Sequence, residues 1–304
     1  MVDRTLYPRK IRVLGTKDDE ADEITIMQFN VLADGLCDLR QDKGNFVLAP
    51  RDCLPWTYRR NLILDEISRY APDIICLEEL DHFDWMQTQL DATGYSGHFA
   101  AKLESPCFEC SDRPDGCAIF IKRAKGLQIK HMCTIRFHDD RGAPTNQLAL
   151  IARISQDGLP LLIVACTHLK STKSKAGEAI RLAQVQQLHK HVVDHGGADD
   201  PMVICGDFNA IPSDNDEYDA LAIPAMLDFG WISSYAEAVS APVYTTWKTR
   251  SRGETKHVID YIFHNHKLKL LRVVDAPTDV DSSGLPSRRY PSDHIALVAT
   301  FQIT

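Results

Sequence analysis

The sequence of 304 residues lacks several features that define other protein classes. No apolar stretch approaches the length needed to span a bilayer, and Met1-Val2-Asp3-Arg4-Thr5 has no apolar signal region. There is no internal repeat and no low-complexity linker. We therefore expect an intracellular protein without a membrane segment. Its expected location is the cytoplasm, with a mitochondrial form only if a longer leader exists.

Positive charge is also scarce, because 34 Lys and Arg residues face 42 Asp and Glu residues, for a net charge of −8. A protein that binds a long polyanion usually presents a broad basic face. Here the Lys and Arg residues gather in short groups near 170–175, 248–256 and 288–289. This pattern favours a small basic pocket for a compact phosphate ligand, and it predicts weak RNA binding or none. The sequence identifies no protein partner.

The nine cysteines do not form the spacing pattern of a disulfide scaffold. Four of them lie in apolar runs and are interpreted as reduced core thiols: Cys76, Cys133, Cys166 and Cys205. Three others share one loop: Cys107, Cys110 and Cys117. A zinc knuckle would need a fourth ligand nearby, and none is obvious, so loop packing is the favoured interpretation.

A hydrophobic content of 44% and a charged content of 25% are typical of a globular domain. Residues 1–23 are polar and are predicted to be a flexible, irregular leader, and residues 24–304 a single catalytic domain. Apolar periodicity predicts helices at 56–70, 82–92 and 176–194. It predicts strands at 24–30, 73–80, 117–122, 129–136, 146–155, 160–168, 202–206, 243–248, 257–263, 268–275 and 294–303. Long loops are predicted at 34–55 and 104–116, and strands interspersed with helices indicate an α/β fold of two packed sheets.

The most informative segment is Cys205-Gly206-Asp207-Phe208-Asn209, which follows the short apolar run 202–205. Side chains two apart on an extended segment point the same way, so Asp207 and Asn209 converge at the end of a strand. Their oxygens suit a divalent cation, and the amide adds a hydrogen-bond donor. Alone, the segment fits a simple turn after a strand equally well.

Three further segments place acidic residues at the end of a strand, within one, or just before one: Ile74-Ile75-Cys76-Leu77-Glu78-Glu79, Val258-Ile259-Asp260-Tyr261-Ile262-Phe263 and Tyr290-Pro291-Ser292-Asp293-His294. A buried carboxylate needs a partner, because an unpaired charge in the protein interior is very costly. Surface placement explains any one of these acids. All of them together, with an Asp-His pair, are better explained by a shared cation or histidine.

These motifs occur in an order that resembles the exonuclease–endonuclease–phosphatase superfamily, the Mg²⁺-dependent phosphoesterases with a DNase-like fold. The residues that carry the resemblance are Asn30, Glu79, Thr167-His168-Leu169, Gly206-Asp207-Phe208-Asn209, Asp260-Tyr261 and Ser292-Asp293-His294. The resemblance covers about residues 24 to 304. It implies a four-layer αββα sandwich of two packed, mostly antiparallel sheets flanked by helices, with the site at one edge.

The resemblance also implies a role for each motif residue. Glu79 and Asp293 would hold Mg²⁺, for which Mn²⁺ can substitute, with Asn30 near that shell. Asp207 would orient or deprotonate the attacking water, with Asn209 beside it. Asp260 would orient His294, and His168 would donate to a phosphoryl oxygen.

A narrower resemblance, to one relative of the poly(A) deadenylases, rests on further segments: Ser105-Pro106-Cys107, Pro114-Asp115-Gly116-Cys117-Ala118, Tyr244-Thr245-Thr246-Trp247-Lys248, Arg250 and Tyr290-Pro291-Ser292-Asp293-His294. It implies hydrolysis of the 2′-phosphate of NADP⁺ and NADPH, which gives NAD⁺ and NADH. The positions that would bind this substrate are Lys102, Asn146, Lys170, Thr172 and Arg250. The alternative activity is that of a 3′–5′ poly(A)-specific exoribonuclease acting on mRNA tails, and a metal-less interaction protein that keeps the fold is a weaker third.

Two positions depart from the pattern of the relatives. Thr172 stands where an arginine is expected, although Lys173 is adjacent, and Glu78 stands where relatives carry Gln. An extra acid at 78 either perturbs metal affinity or points to the opposite face of the strand. Surface or capping roles are expected for seven other histidines: His131, His138, His189, His191, His195, His264 and His266.

Overall fold

Two β-sheets face each other in the protein, whose computed structural model describes residues 5–18, 22–37, 46–197, 199–238, 244–250 and 253–303. The strands are β1 Ile11–Val13, β2 Glu23–Asn30, β3 Ile74–Glu78, β4 Tyr95–Ala101, β5 Gly116–Lys122, β6 Leu127–His138, β7 Pro144–Gln156, β8 Leu159–His168, β9 Met202–Asp207, β10 Ile232–Ser233, β11 Thr246–Arg250, β12 Gly253–His257, β13 Asp260–His264, β14 Leu268–Val274 and β15 Leu297–Ile303. The helices are α1 Trp56–Tyr70, α2 Phe83–Ala92, α3 Lys175–His195, α4 Ala222–Asp228 and α5 Ser234–Glu237.

The strand order explains how the four layers form. The first sheet runs β1-β14-β15-β2-β3-β5-β4, the second runs β10-β13-β9-β8-β7-β6, and β11 and β12 form a separate two-stranded ribbon. Only β2 with β3 and β8 with β9 pair in parallel among the described strands. The predicted sandwich of mostly antiparallel sheets is therefore confirmed.

Alternation along β7 shows where the core lies. Leu148, Leu150 and Ala152 pack in the apolar cluster between the two sheets, whereas Ala149 and Ile151 pack in the cluster beneath α3. Because side chains on a strand alternate between faces, a strand covered on both faces reads as a continuous apolar run. The buried strands were predictable for this reason.

Helix α1 connects the core to the edge where the candidate site lies. Its C-cap is Ala71 in the left-handed conformation, directly before Pro72. Arg59, which is fully buried, donates from Nη1 to the carbonyl oxygens of Val31 at 2.9 Å and Pro291 at 3.2 Å. A guanidinium offers five donors in a fixed plane, so one side chain holds two chain segments that flank the site.

The prediction of an irregular leader is wrong at residues 11–13, which form a strand, and residues 5–10, although irregular, contribute buried side chains. Ile11–Val13 pairs with β14, and Tyr7 is fully buried with its hydroxyl 2.8 Å from Asp281 Oδ2. Arg9 forms a buried ion pair with Glu66 of α1, with Nη1 2.6 Å from Oε1. The partners of these polar residues are distant in sequence, so local polarity suggested exposure where the structure has burial.

Other elements differ at their ends or were missed. β4, α4, β10, α5 and β12 had no counterpart in the predictions, and the last strand begins at Leu297 instead of 294. Part of the predicted loop at 34–55, namely 38–45, and the start of the strand predicted at 243 lie outside the described residues. No helix in the described part of the chain is long and apolar enough to cross a membrane.

The cysteines largely follow the prediction. Cys76, Cys166 and Cys205 are fully buried thiols, but Cys133 is only half-buried. Cys107 and Cys117 are buried and Cys110 is exposed. Within the described ranges, no group of ligand atoms close enough to hold a metal includes any of these last three.

Candidate active site

The candidate site lies at the edge where both parallel strand pairs end. Asn30, His168 and Asp207 are the last residues of β2, β8 and β9, and Glu79 directly follows β3. Because parallel strands end at the same edge, each pair delivers two polar residues to one place. The sandwich then brings the two pairs together, so residues up to 177 positions apart are in contact.

Asp207 is at the centre of this arrangement. Its Oδ2 accepts from Asn30 Nδ2 at 3.0 Å and lies 3.5 Å from His168 Nε2 and 3.7 Å from His294 Nε2. Its Oδ1 accepts from the backbone N–H of Asn209 at 2.9 Å. Burial, together with the neighbouring Asp260 carboxylate, raises the pKa of Asp207 to about 7. A carboxylate with this pKa can accept a proton near neutral pH.

The backbone at the site takes up unusual conformations. Glu79 and Asn209 have positive φ angles of 55° and 50°. Such conformations cost on the order of 1–3 kcal/mol each and persist only where the surroundings hold them. At Gly206, a Cβ atom would lie 1.9 Å from the carbonyl oxygen of Thr167, so only glycine fits between β8 and β9.

His294 and Asp260 form a buried pair beside Asp207. His294 Nδ1 lies 2.9 Å from Asp260 Oδ2 and 3.0 Å from Oδ1. Burial opposes protonation, but the carboxylates of Asp260, Asp207 and Asp293 together outweigh it and raise the pKa of His294 to about 9, with Asp260 contributing most of the three. The ring is therefore an imidazolium at neutral pH. Its Nε2 has no hydrogen-bond partner within the described residues and is directed toward Asp207.

His168 is electrostatically different from His294. Burial, with the positive charges of Lys102 and His294, lowers the pKa of His168 well below its usual range. The neutral ring carries one N–H, and its Nδ1 has no partner in the part of the chain that the structure describes. One charged and one neutral imidazole therefore flank the Asp207 carboxylate.

The residues predicted to hold a metal fit a hard divalent cation. Glu79 accepts from Asn30 Nδ2 at 3.0 Å, and Asp293 pairs with Lys248, whose Nζ lies 3.0 Å from Oδ2. Burial alone would raise the pKa of Asp293, but the Lys248 ammonium and the His294 imidazolium together outweigh it and lower that pKa. Asp293 Oδ1 is buried and has no partner among the described residues. An ionised, buried and unpaired carboxylate oxygen is the donor that Mg²⁺ or Ca²⁺ coordinates.

A cleft of about 290 Å³ opens onto five of the predicted site residues, namely Glu79, His168, Asp207, Asn209 and Asp293, whereas Asn30, Asp260 and His294 are not part of its lining. Its polar lining comprises Glu79, Lys102, Gln147, His168, Ser171, Asp207, Asn209, Lys248, Arg250 and Asp293, and its apolar lining Leu32, Leu36, Phe46, Pro106 and Leu169. Three cations thus line one small cleft in a chain whose net charge is −8.

The structure brings two of the five predicted substrate-binding residues to the cleft, Lys102 and Arg250. Lys102 is buried and paired with Asp115, Nζ to Oδ2 2.5 Å, whereas Arg250 is exposed. Asn146 instead exchanges two hydrogen bonds with the backbone of Glu104, at 2.9 and 2.7 Å. Its amide therefore fixes a loop.

The loop that holds Lys170 and Thr172 is tied to α3. Arg181 Nη1 donates to the carbonyl oxygens of Lys170 at 2.8 Å and Thr172 at 2.7 Å, and Arg181 is itself paired with buried Glu178. Neither Lys170 nor Thr172 lines the cleft, although Ser171 between them does.

Sequence reasoning placed the basic group at 248–256 near a pocket but gave Lys248 no role of its own, and it missed Gln147 and the apolar wall. Lys248 and Arg250 are two apart on β11, so both side chains point to one face. That spacing was the signal that could have placed Lys248 in the site with Arg250. Gln147 and Phe46 offer no comparable local signal, because only the tertiary fold brings them to the cleft.

Glu78 points away from the cleft, which resolves one of the two departures. It is fully buried between the sheets, where Gln28 Nε2 donates to Oε2 at 2.8 Å and Cys166 Sγ lies 3.2 Å from Oε1. Gln28 Nε2 also lies 3.2 Å from Asp260 Oδ1. Burial raises the pKa of Glu78 well above its usual range, which favours the neutral carboxyl.

The comparisons with known proteins agree with this geometry. Residues 27–294 match the Endonuclease/Exonuclease/phosphatase family. The chain is 38% identical to nocturnin of Xenopus laevis over 91% of this chain and 71% of that protein. It is 37% identical to human nocturnin over 92% of this chain and 65% of that protein, so it spans about two thirds of these relatives.

The fold comparison gives the same answer. The structure of the human nocturnin catalytic domain with bound sulfate anion superimposes with a TM-score of 0.76 at 30% identity, covering 97% of this chain and 98% of that one. Enzymes of this family typically depend on a divalent metal, and the ligand atoms of Glu79, His168 and Asp207 at the cleft lie within 4.8 Å of one another, close enough to hold one. Asp293, the other predicted ligand, is not in this group. The chain therefore belongs to the endonuclease/exonuclease/phosphatase family, as a hydrolase of the branch that contains the nocturnins.

Proposed function

We propose that the protein is a Mg²⁺-dependent phosphatase that hydrolyses the 2′-phosphate of NADP⁺ and NADPH, releasing NAD⁺, NADH and phosphate. The observation that carries this proposal is the convergence of Lys102, Lys248 and Arg250 on one cleft of about 290 Å³. A terminal phosphate carries nearly two negative charges and accepts several charge-assisted hydrogen bonds. A cleft of this size suits a phosphorylated ribose, with the rest of the dinucleotide lying across its mouth.

Glu79 and Asp293 would hold the ion, with Asn30 orienting Glu79 by its 3.0 Å hydrogen bond. Mg²⁺ prefers a few protein oxygens, and Mn²⁺ is expected to substitute. When bound, the ion supplies positive charge to the phosphoryl oxygens. Lys248, paired with Asp293, adds a fixed positive charge from the protein itself.

Asp207 would orient the attacking water and accept its proton. Its Oδ1 is fixed by the Asn209 N–H, which leaves Oδ2 as the oxygen that faces Asn30, His168 and His294. Its pKa of about 7 matches a base that must be ionised before reaction and take up a proton during it. Asn209 would contribute the turn that aims this carboxylate.

His294 and His168 would act on the phosphoryl group. The imidazolium of His294, held by Asp260, can donate from Nε2 to an oxygen that gains charge, and the neutral ring of His168 can donate one hydrogen bond. Both rings are buried, so these hydrogen bonds form without competition from bulk water.

Arg250 and Lys102 would recognise the phosphate itself. The exposed guanidinium of Arg250 is free to pair with two phosphate oxygens, whereas Lys102 is pre-positioned by Asp115. Lys170, Thr172 and Asn146 lie outside the cleft wall, so their proposed contacts are with the parts of the dinucleotide beyond the 2′-phosphate. The apolar wall that includes Leu32 and Phe46 would face the ribose and adenine.

Two activities compete for this site, and one pair of assays separates them. Phosphate release from NADPH is measured beside the trimming of an adenosine oligomer, each with Mg²⁺ and with a chelator. We expect fast, Mg²⁺-dependent phosphate release and little trimming, because RNA affinity needs many phosphate contacts along a basic surface. A higher kcat/KM on the adenosine oligomer than on NADPH would replace the phosphatase with the poly(A) exoribonuclease.

A variant tests the recognition step. Arg250→Ala is expected to lower kcat/KM for NADPH by roughly tenfold to a hundredfold, since an unmade hydrogen bond to a charged group costs about 1.5–3 kcal/mol. Arg153→Ala is the matched control, because Arg153 lies on the outer surface and pairs with Asp200 at 3.3 Å. Equal kcat/KM values for the two variants would remove Arg250 from the substrate site.

A further inference from the structure

A second cluster of ligand-type side chains lies outside the cleft, where strand β6 meets the end of helix α3. It consists of His131 and Cys133 of β6 and His195, the last residue of α3. Their ligand atoms all lie within 4.8 Å of one another. Cys133 Sγ is 3.0 Å from His195 Nε2, and the two imidazole rings are 5.9 Å apart between centroids.

Local structure explains why these three side chains meet. His131 and Cys133 are two apart on a strand, so their side chains point to the same face of the sheet. A register shift in the pairing of β6 with β7 lies between Ile129 and His131, directly before the cluster. Helix α3 crosses this face and ends with His195 beside Cys133, where Gly196 stops the helix.

The tautomer of His195 is set by its own helix. His195 Nδ1 lies 2.6 Å from the carbonyl oxygen of His191. A carbonyl oxygen only accepts, so Nδ1 carries the proton and the neutral ring presents the lone pair of Nε2 toward Cys133. A histidine that donates one ring N–H to a backbone carbonyl and offers the other nitrogen is the usual arrangement of a metal ligand in proteins.

We propose that His131, Cys133 and His195 bind a zinc ion, with water as the fourth ligand. Two imidazoles and one thiolate form a borderline-soft donor set that suits Zn²⁺ and does not suit Mg²⁺. A tetrahedral ion with Zn–S of about 2.3 Å and Zn–N of about 2.0–2.1 Å separates its ligand atoms by roughly 3.3–3.6 Å. The separations here, 3.0 Å for the closest pair and at most 4.8 Å overall, bracket that value.

The environment of each ligand suits an ion that is reached from solvent. His131 is exposed, whereas Cys133 and His195 are half-buried, so the fourth position faces outward. Burial raises the pKa of the Cys133 thiol, and zinc binding therefore releases a proton at neutral pH. The site joins β6, the edge strand of its sheet, to the C-terminal end of α3, so a bound ion stabilises that edge.

The competing explanation is a simple S–H···N hydrogen bond between Cys133 and His195, with no ion. The purified full-length chain is freed of metal and titrated with Co²⁺ and then Zn²⁺ in excess Mg²⁺, which competes for the carboxylates of the cleft. Thiolate-to-Co²⁺ charge-transfer absorption reports the sulfur ligand. Competition with a chromophoric chelator gives the zinc affinity and stoichiometry.

We expect a single zinc equivalent with a thiolate charge-transfer band in the wild-type protein. Both are expected to disappear in Cys133→Ser, and the affinity to fall by about tenfold or more in His131→Gln and in His195→Gln. Cys110→Ser, which changes an exposed thiol in another loop, is the matched control and should bind zinc as the wild type does. His131 is exposed, so His131→Gln keeps the test valid if Cys133→Ser does not fold.

A wild-type protein without the thiolate band, or a Cys133→Ser variant with unchanged zinc affinity, would overturn the proposal in favour of the hydrogen bond. Loss of the zinc equivalent in Glu79→Gln but not in Cys133→Ser would also overturn it, because the ion would then lie in the cleft. Hydrolytic activity with Mg²⁺ should be the same in the wild type and Cys133→Ser, so this test is independent of the proposed substrate.

Discussion

Nζ of Lys248 lies 3.0 Å from Oδ2 of Asp293 at the base of the cleft. Burial alone would lower the pKa of Lys248, but the carboxylates of Asp293, Glu79 and Asp207 raise it above its usual value. The ammonium group therefore remains charged and offsets the repulsion among three neighbouring acids. A single lysine thus stabilises the acidic cluster on which the proposed chemistry depends.

Lys248→Met should consequently destabilise the protein. Breaking a buried ion pair leaves one charge without its partner and typically costs about 3–5 kcal/mol of unfolding free energy. Because Lys248 is partly exposed, we expect a decrease in the unfolding free energy near the lower end of that range. Denaturant unfolding in a chelator measures this loss, and excess Mg²⁺ should recover part of it. Lys256→Met, on the facing strand of the ribbon, is the control. If Lys248→Met and the wild type have the same free energy of unfolding, the Lys248–Asp293 pair does not stabilise the acidic cluster.

Glu79→Gln tests the metal-binding role. We expect kcat to fall by roughly three orders of magnitude, equivalent to about 4 kcal/mol, while the protein stays folded. The melting temperature in a chelator should rise, because one negative charge leaves an acid-crowded cleft. Glu104→Gln changes an exposed glutamate near the same loops and should alter neither value. Near-normal turnover by Glu79→Gln would exclude Glu79 as a ligand.

Asp207→Ala should separate catalysis from binding. Asp207 is proposed to act on water more than on substrate, so kcat should fall below detection while NADPH still binds. Calorimetry of the variant with NADPH and Mg²⁺ measures the affinity without turnover. If the variant no longer binds NADPH at all, Asp207 serves mainly to build the pocket through its contacts with Asn30 and the histidines.

The pair of Asp260 and His294 predicts a pH dependence. Asp260 is the main group that raises the pKa of His294 to about 9, from an unfolded value of about 6.5. Protonation of His294 therefore stabilises the fold fully below about pH 6.5. This stabilisation is lost as pH rises through about 9. Activity that needs the imidazolium should fall over the same alkaline range. In Asp260→Asn, the alkaline limb of the kcat profile should move to lower pH.

Glu237→Gln is the matched control for that profile, because Glu237 pairs with His264 at 3.0 Å away from the cleft. Its alkaline limb should coincide with that of the wild type. An Asp260→Asn profile that also coincides with the wild type would show that another group sets this limb.

Glu78→Gln should stabilise the protein above neutral pH. The pKa of Glu78 is higher in the folded protein than in the unfolded chain. The contribution of Glu78 to the unfolding free energy is therefore complete at low pH, and it is lost as pH rises from the unfolded pKa toward the folded one. Glutamine removes this loss and keeps the size of the side chain. Melting temperatures at acidic and alkaline pH measure the effect, and the gain should grow with pH. A gain confined to acidic pH would contradict a neutral, buried Glu78.

Those parts of the site that follow buried strands could be predicted from the sequence, because a buried strand is visible as a short apolar run. Strands such as β9 are short apolar runs, and an acid placed after one of them is an unusual residue at a predictable position. Helix α3 was predictable because Val185, Leu188 and Val192 share one buried face and Gly196 ends the helix, although Ile180, expected on that face, is exposed. These signals depend only on neighbours in the chain.

The rest depends on contacts that local patterns do not encode. β4 has the sequence YSGHFAA, whose small and polar residues give no strand alternation, and it forms by pairing with β5. Arg9 is polar, and its burial depends on Glu66 and on the backbone carbonyl oxygens of Asp275 and Ala296, all of them distant in sequence. Lys170 and Asn146 were assigned to substrate binding, and neither lines the cleft. The contacts that fix them, with Arg181 and with the backbone of Glu104, join residues distant in sequence.

The residues of the active site come from two structural parts, the paired strands of one sheet and a separate two-stranded ribbon with a loop. Asp207 is directly opposite His168 on β8 and Asp260 on β13, so three polar residues share one row across adjacent strands. Arg250 instead belongs to the separate β11–β12 ribbon, and Phe46 to a loop. The row has the rigidity of the sheet. The same ribbon also carries Lys248, which pairs with Asp293, so exchanging the whole ribbon would disturb the acidic cluster. Arg250, at the exposed end of β11, is therefore the position to change when a different phosphate ester is to be hydrolysed.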